Sequence, residues 1–267
     1  MKLNTFYRIS DGSYSKPKLP GLEKLDCLKN YTNCFDSTLT IIADNCNRNT
    51  IKNLNNFNIV ETNLGNAGSF IYSVELACKL NDNDFVYIVE DDYLHMEAEK
   101  TQIVLEEGLK LADYVSLFDH PDKYSALYDY GETTKVVKSL SSNWKHTCST
   151  TMTFATTAGQ LKKDINIWKK YTAENHPQDH LAFLDLKNQN RTLISSIPGR
   201  AFHTDLTEYL RWNLPVDAWA VNLAELYLRN NLGSIEFDCK QAFDNEHGIN
   251  RLFYLAAYLS KKKQTSI

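Results

Sequence analysis

The sequence predicts an α/β fold in which a mostly parallel sheet is flanked by helices and followed by a helical C-terminal extension. Three observations predict it. Strand-like and helix-like segments alternate through the first half, the pattern that crossover connections turn into parallel strands. Phe85-Val86-Tyr87-Ile88-Val89 is one unbroken apolar run, as a strand buried on both faces requires. Finally, 43% of the 267 residues are hydrophobic and the formal net charge is only -4, so the chain can fill a core and lacks the composition of disorder.

Taken in order, Leu3 to Ile9 reads as the first strand, Leu39 to Ala43 as a buried second strand running into Asp44-Asn45, and Phe57 to Glu61 as the third. Ser69 to Leu80 carries apolar residues at helical spacing, and the run beginning at Phe85 is the fourth strand. A helix is expected over Ala98 to Ala112 and a strand over Tyr114 to Phe118, followed by a less regular stretch holding Asp119-His120-Pro121-Asp122. Thr147 to Ala155 reads as a strand, and Ala158 to Tyr171 as helical at its start and end. Pro177 precedes a helix from Gln178 to Asn188 that begins with Asp179, where the helix dipole favours an acid. From Pro215 onward the pattern is helical and ends in Lys261-Lys262-Lys263. With no Pro/Gly/Ser linker, repeat or low-complexity run, one domain over residues 1–267 is expected.

Composition removes several functions. With 29 Lys+Arg against 33 Asp+Glu there is no basic footprint for a phosphate backbone, so no nucleic-acid partner is expected. No stretch approaches the roughly 18 apolar residues of a membrane span, and the first residues lack a signal-peptide core; a cytoplasmic location is expected. The six cysteines are dispersed, without zinc spacing, and read as reduced, mostly buried apolar side chains.

Three segments carry candidate chemistry. Glu90-Asp91-Asp92 follows the fourth strand, and open α/β sheets bind ligands beyond the carboxyl ends of their strands. Like charges crowded there repel, and a hard divalent cation removes that cost; a solvated acidic turn has the same appearance. Asn63-Leu64-Gly65-Asn66-Ala67-Gly68-Ser69 opens a helix after the third strand, as an anion site or a tight connection would. Asp44, ending the second strand, suits a hydrogen bond from a base or ribose, or a turn-forming Asp-Asn pair.

Together these segments resemble the GT-A glycosyltransferases, especially the large inverting family that uses nucleotide-diphosphate sugars. Asp44 matches its second-strand acid, Asn63 to Gly68 its N-x-G-N-x-G turn and Glu90-Asp91-Asp92 its D-x-D motif; the resemblance covers roughly residues 1–205. It implies a Rossmann-like GT-A sheet with a nucleotide-binding half (1–118), an acceptor and catalytic half (119–214) and a helical extension (215–267). It also implies that Asp92 ligates Mn²⁺ or Mg²⁺ on the donor diphosphate. Glu90 stands where Asp is usual, contacting ribose or metal-bound water, and Asp91, Asn66 and Gly68 belong to the nucleotide-sugar site. Arg8-Ile9-Ser10-Asp11 would line the nucleotide pocket, with Arg8, Ser10 and Asp11 facing it, although Arg8 also suits a structural ion pair.

Two downstream matches complete the resemblance. Asp179 in His176-Pro177-Gln178-Asp179-His180 stands at the family's general-base position, to take the acceptor proton as its oxygen attacks the anomeric carbon. His203 stands where some members place a late histidine on the metal. Asp119, His120 and Asp122 are candidates for donor-sugar or acceptor contact, while Trp144, Trp168, Trp212 and Trp219 are expected mainly in the core. The implied partners are a nucleotide-diphosphate sugar and a glycan, glycoprotein or lipid-linked acceptor, with the Tyr254 to Lys263 segment suited to peripheral membrane contact or to a solvated tail. The competing readings are a sugar-phosphate nucleotidyltransferase, of whose basic Gly-rich loop Ser10 to Lys16 is a faint echo, and a non-catalytic nucleotide-sugar or metal-binding module.

Overall fold

The apolar runs become the centre of a nine-stranded sheet. β1 (Leu3–Ser10) lies between β2 (Thr38–Asp44) and β4 (Phe85–Glu90), with β3 (Asn58–Thr62) outside β2, and these four strands are parallel. Beyond β4 come β9 (Phe154–Thr157), β6 (Tyr114–Ser116), β10 (Leu193–Ile197), β8 (Asn143–His146) and β7 (Val136–Lys138). β8 and β9 run against the other seven, so the expected mostly parallel sheet is present. β5 (Tyr93–His95) and β11 (Ala201–His203) form a separate antiparallel ribbon. The structure, a computed structural model, describes residues 2–12, 22–96, 100–120, 123 and 135–204.

Strands buried on both faces need two covering layers. Tyr7, Ile9, Tyr87 and Val89 point into a core shared with α1 (Lys24–Cys34) and α4 (Lys100–Gly108), while α2 (Arg48–Asn53) fills the next crossover. Phe6, Val86, Ile88 and Phe154 point the other way, onto α3 (Gly65–Ala77), α5 (Ala158–Tyr171) and α6 (Asp179–Asn188). There Trp168 stacks on Phe154 at 5.0 Å and Phe183 meets it edge-on. Removing so large a buried ring costs about 3–5 kcal/mol. Trp144 and Trp168 are both fully buried, as expected.

Register sets the position of the site. Arg8 on β1 stands opposite Ile42 on one side and Glu90 on the other, and Ser10 stands opposite Asp44. The carboxyl ends of β1, β2 and β4 are therefore nearly flush, and their last polar residues share one edge of the sheet.

Some boundaries differ from expectation. Thr147 to Ala155 is not one strand: β8 ends at His146, β9 starts at Phe154, and the intervening turn carries Thr151 and Met152 at φ 50° and 62°. The cause is local hydroxyl bonding that competes with the ladder, since Thr150 Oγ1 donates to the Thr153 carbonyl at 2.8 Å and Thr151 Oγ1 to that of Thr150 at 2.7 Å. α5 is continuous, begun by Thr157, whose hydroxyl accepts from the Gln160 N–H at 3.2 Å. α1 was not anticipated although Leu25, Cys27, Leu28, Tyr31 and Cys34 supply an apolar side, because lysines and asparagines are interspersed with them; a reciprocal Glu23–Asp26 capping box starts it and Tyr31 anchors it among aromatic rings. Cys27, Cys34 and Cys148 are buried, Cys46 and Cys78 half-buried, and no disulfide joins any two of these five. The expected helical extension from 215, Asp122, Trp212, Trp219, Cys239 and the Tyr254 to Lys263 segment lie outside the described residues. No helix among the described residues is long and apolar enough to cross a membrane.

Candidate functional site

At the flush strand ends a cavity of about 550 Å³ opens between β1, β2, β4, the N-terminus of α3 and residues 172–176. Arg8, Ser10, Asp44, Asn66, Gly68, Glu90, Asp91 and Asp92 all line it, so most residues expected at the nucleotide-sugar site are brought together. Their roles nevertheless separate.

Asp44 is 3% exposed and its carboxylate is already engaged. Oδ1 accepts from the Thr62 hydroxyl at 2.8 Å and the Leu64 N–H at 2.7 Å, while Oδ2 accepts from the Gly65 N–H at 3.1 Å and the Asn45 amide at 2.7 Å. Four donors fill the roughly four lone-pair sites of a carboxylate. Asp44 therefore holds the strand-to-helix turn, at the end of α3 where the helix dipole favours an anion. Gly65 adopts φ 74°, a conformation that suits glycine, and a Cβ on Gly68 would come within 2.8 Å of Leu64 Cβ. Both glycines of the motif thus shape the turn itself.

Arg8 is likewise committed. Its guanidinium donates to Glu90 Oε1 at 2.9 Å, to the Asn66 carbonyl and Oδ1 at 2.6 Å each, and to Ser69 Oγ at 3.1 Å. It is buried, lies 5.6 Å from the Phe70 ring centroid and ties β1, β4 and the α3 turn into one cradle. Asp11, expected in the pocket, does not line it. It pairs with Lys24 Nζ at 2.5 Å and accepts from the Asn47 N–H at 2.8 Å. Burial opposes its ionisation, but those two donors win and hold the Asp11 carboxyl below the usual carboxylate range.

The three consecutive acids diverge. Glu90 meets Arg8, Asp91 Oδ2 accepts from the Ser10 N–H at 3.0 Å, and Asp92 Oδ2 lies 3.3 Å from His203 Nε2. Asp92 and His203 are 7% and 6% exposed. They meet because Thr204 clamps the Asp92 carbonyl through its N–H (2.7 Å) and hydroxyl (2.9 Å), and because β11 pairs with β5 immediately after the acids. Beneath them burial, with Cys27, Asp91 and Asp92 adding to it, pushes the Tyr7 hydroxyl well above its ordinary pKa and keeps it neutral.

Asp179 does not line this cavity; it sits half-buried at the first turn of α6. Its Oδ2 accepts from Ser149 Oγ at 3.1 Å and from the Thr151 N–H at 3.0 Å, and no described residue donates to Oδ1. Tyr93 lies between Asp179 and the Asp92–His203 pair: its hydroxyl hydrogen-bonds to Thr151 Oγ1 and its ring stacks on His203 at 4.8 Å.

Sequence reasoning missed Tyr93, Thr151 and the wall formed by Glu174, Asn175 and His176. Tyr93 directly follows the acid triplet, a signal that was available; nothing in the sequence announces the left-handed Thr151-Met152 pair. Asp119 is buried and accepts from the Ser195 hydroxyl at 3.2 Å, and His120 is buried against Phe118, so neither contacts the cavity.

For a cation, the donor set is the test. No group of three or more His, Cys, Asp or Glu side chains among the described residues is arranged for a metal. Asp92 and His203 offer one carboxylate and one imidazole, which fits a cation of the Mn²⁺ kind that completes its shell with water and phosphate oxygens.

No protein family and no curated protein matches the chain. Among solved structures it is similar to CMP:2-keto-3-deoxy-manno-octonic acid synthetase complexed with CTP, with 12% identity over 79% of this chain and 96% of that one and a TM-score of 0.48. TarS of S. aureus shares 13% identity over 92% of this chain at a TM-score of 0.48, and the match spans 46% of its own length. A nucleotidyl transferase from Methanothermobacter shares 10% identity over 86% of this chain and 99% of its own, again at 0.48.

Proposed function

We propose that the protein transfers a sugar from a nucleotide-diphosphate donor to an acceptor hydroxyl, with a divalent cation held by Asp92 and His203. The observation that carries this reading is the 3.3 Å approach of those two buried side chains at the rim of an acidic cavity. Asp44, Glu90, Asp91, Asp92 and Glu174 line that cavity against Arg8, the one Lys or Arg in its described lining. Such a surface repels a bare diphosphate and accepts one that arrives with its metal.

When bound, the cation would neutralise the negative charge that grows on the departing diphosphate. The chain's own residues do the rest. Arg8 and Asp44 hold the α3 turn rigid beneath the donor. Asp179, fixed through Oδ2, takes the acceptor proton at Oδ1 as the acceptor oxygen attacks the anomeric carbon, which gives inversion. Purified protein incubated with a panel of nucleotide-diphosphate sugars is expected to release nucleoside diphosphate with Mn²⁺ and not with EDTA. Release of pyrophosphate from a nucleoside triphosphate and a sugar 1-phosphate would replace the reading with a nucleotidyltransferase; binding of the donor panel without turnover would replace it with a binding module.

A further inference from the structure

The candidate base lies outside the cavity lining and apart from the candidate metal pair, yet a short series of contacts joins them. Asp179 Oδ2 accepts from the Thr151 N–H, the Thr151 hydroxyl meets the Tyr93 hydroxyl, and the Tyr93 ring stacks at 27° to the plane of His203, whose Nε2 faces Asp92. Each link has a local cause. Tyr93 and His203 are cross-strand partners in the β5–β11 ribbon, so their rings are placed face to face by register. Phe118 closes the outer edge of Tyr93 at 5.7 Å, and Tyr93 is fully buried, so the ring has no room to leave. On the other side, Thr151 and Met152 are two consecutive non-glycine residues in the left-handed region, each held there at a cost of about 1–3 kcal/mol. A turn in that conformation persists only where its surroundings fix it, and besides its own Thr150 and Thr151 hydroxyl bonds the contacts that fix it from outside are Asp179 and Tyr93.

We propose that Tyr93 is a positioning residue with two separable jobs: its hydroxyl orders the Thr151-Met152 turn that orients Asp179, and its ring orders His203 beside Asp92. The inference rests on the sugar-transfer reading for its catalytic consequence, but the mechanical link stands or falls independently. Tyr93→Phe keeps the ring and deletes the hydroxyl. Hydrogen–deuterium exchange at residues 149–152 is expected to rise by about tenfold, the scale of one ordering hydrogen bond, while the thermal shift produced by Mn²⁺ alone is unchanged. Turnover should fall by a similar factor in kcat with donor KM preserved. Thr151→Val, which removes the Thr150 carbonyl bond as well as the Tyr93 contact, should raise exchange at 149–152 at least as much as Tyr93→Phe, and the double variant should be no worse than Thr151→Val alone. Tyr93→Leu, which removes the stacked ring, should in addition weaken the Mn²⁺-induced shift.

Unchanged exchange at 149–152 in both Tyr93→Phe and Thr151→Val overturns the proposal, as does a Tyr93→Phe protein that loses its Mn²⁺ response as fully as Tyr93→Leu. Raised exchange together with undiminished turnover would keep the link and remove Asp179 as the base, so the two ideas fail by different results.

Discussion

Asp44 and Asp92 stand at the ends of adjoining parts of the same sheet edge, both nearly buried and both lining the same cavity, yet their surroundings differ in kind. The region around Asp44 is internally complete: four donors saturate the carboxylate, and Arg8 next to it bonds Glu90, Asn66 and Ser69. The region around Asp92 is assembled from distant segments, with His203 on one side and, through Tyr93 and Thr151, Asp179 on the other. A carboxylate whose acceptor sites are filled by backbone and turn donors is scaffolding. One faced by an imidazole beside a cavity is suited to a ligand. Position at a strand end does not distinguish them, whereas their hydrogen-bond partners do.

The largest expected effect falls on the assembled region. Asp179→Asn should reduce transfer by about 10²- to 10⁴-fold, the range of a lost general base, with the melting temperature nearly unchanged. Asp92→Asn should remove the Mn²⁺-dependent activity in the same way. Full transfer by either folded variant would sink that residue's role. The saturated region should respond oppositely: Asp44→Ala leaves the Leu64 and Gly65 N–H groups without their acceptor and should cost on the order of 3 kcal/mol, read by urea denaturation. If Asp44→Ala instead left stability intact while abolishing donor binding, the contrast between the two acids would collapse.

A smaller effect tests the packing behind the Asp92–His203 corner. His95, at the end of β5, is caged by Tyr31, Phe35 and Tyr87, and burial lowers its pKa to about 3. A histidine ordinarily titrates near 6.5, so between pH 6.5 and 3 the unfolded chain binds the extra proton. Stability should therefore fall as pH drops through that window, by about 1.4 kcal/mol per unit from this group. His95→Phe should flatten the slope by that amount, and an unchanged slope would show that carboxylates dominate instead. Last, Gly68→Ala should cost about 1–3 kcal/mol, because the added methyl would meet Leu64 Cβ, which can move only with the turn backbone that Asp44 holds.

How much of this was legible beforehand follows the same division. β1, β2, β4 and α3 were readable because strands buried on both faces and a helix packed on them leave unbroken or periodic apolar patterns. The start of α6 at Asp179 was readable from Pro177 and the acid that follows it. α1 was hidden because a polar capping box sets its start and its buried side includes Asn30, which exchanges hydrogen bonds with the His95 backbone. The 147–153 turn was hidden because hydroxyl-rich residues suit strands and local turns equally. The site residues found from motifs were those near one another in sequence; Tyr93 and Thr151 escaped because their significance arises from a contact across 58 residues.

The clamp between Thr204 and Asp92 spans 112 residues of chain. During synthesis, Asp92 therefore emerges long before the histidine that faces it, and the two cannot meet until the β5–β11 ribbon closes over most of the intervening fold. Closing so long a loop is entropically unfavourable until many other contacts already support it. The Asp92–His203 corner is for that reason among the last parts of the molecule expected to form, and a chain arrested before residue 201 would carry the complete acid triplet without the histidine and the Thr204 clamp that meet its final member.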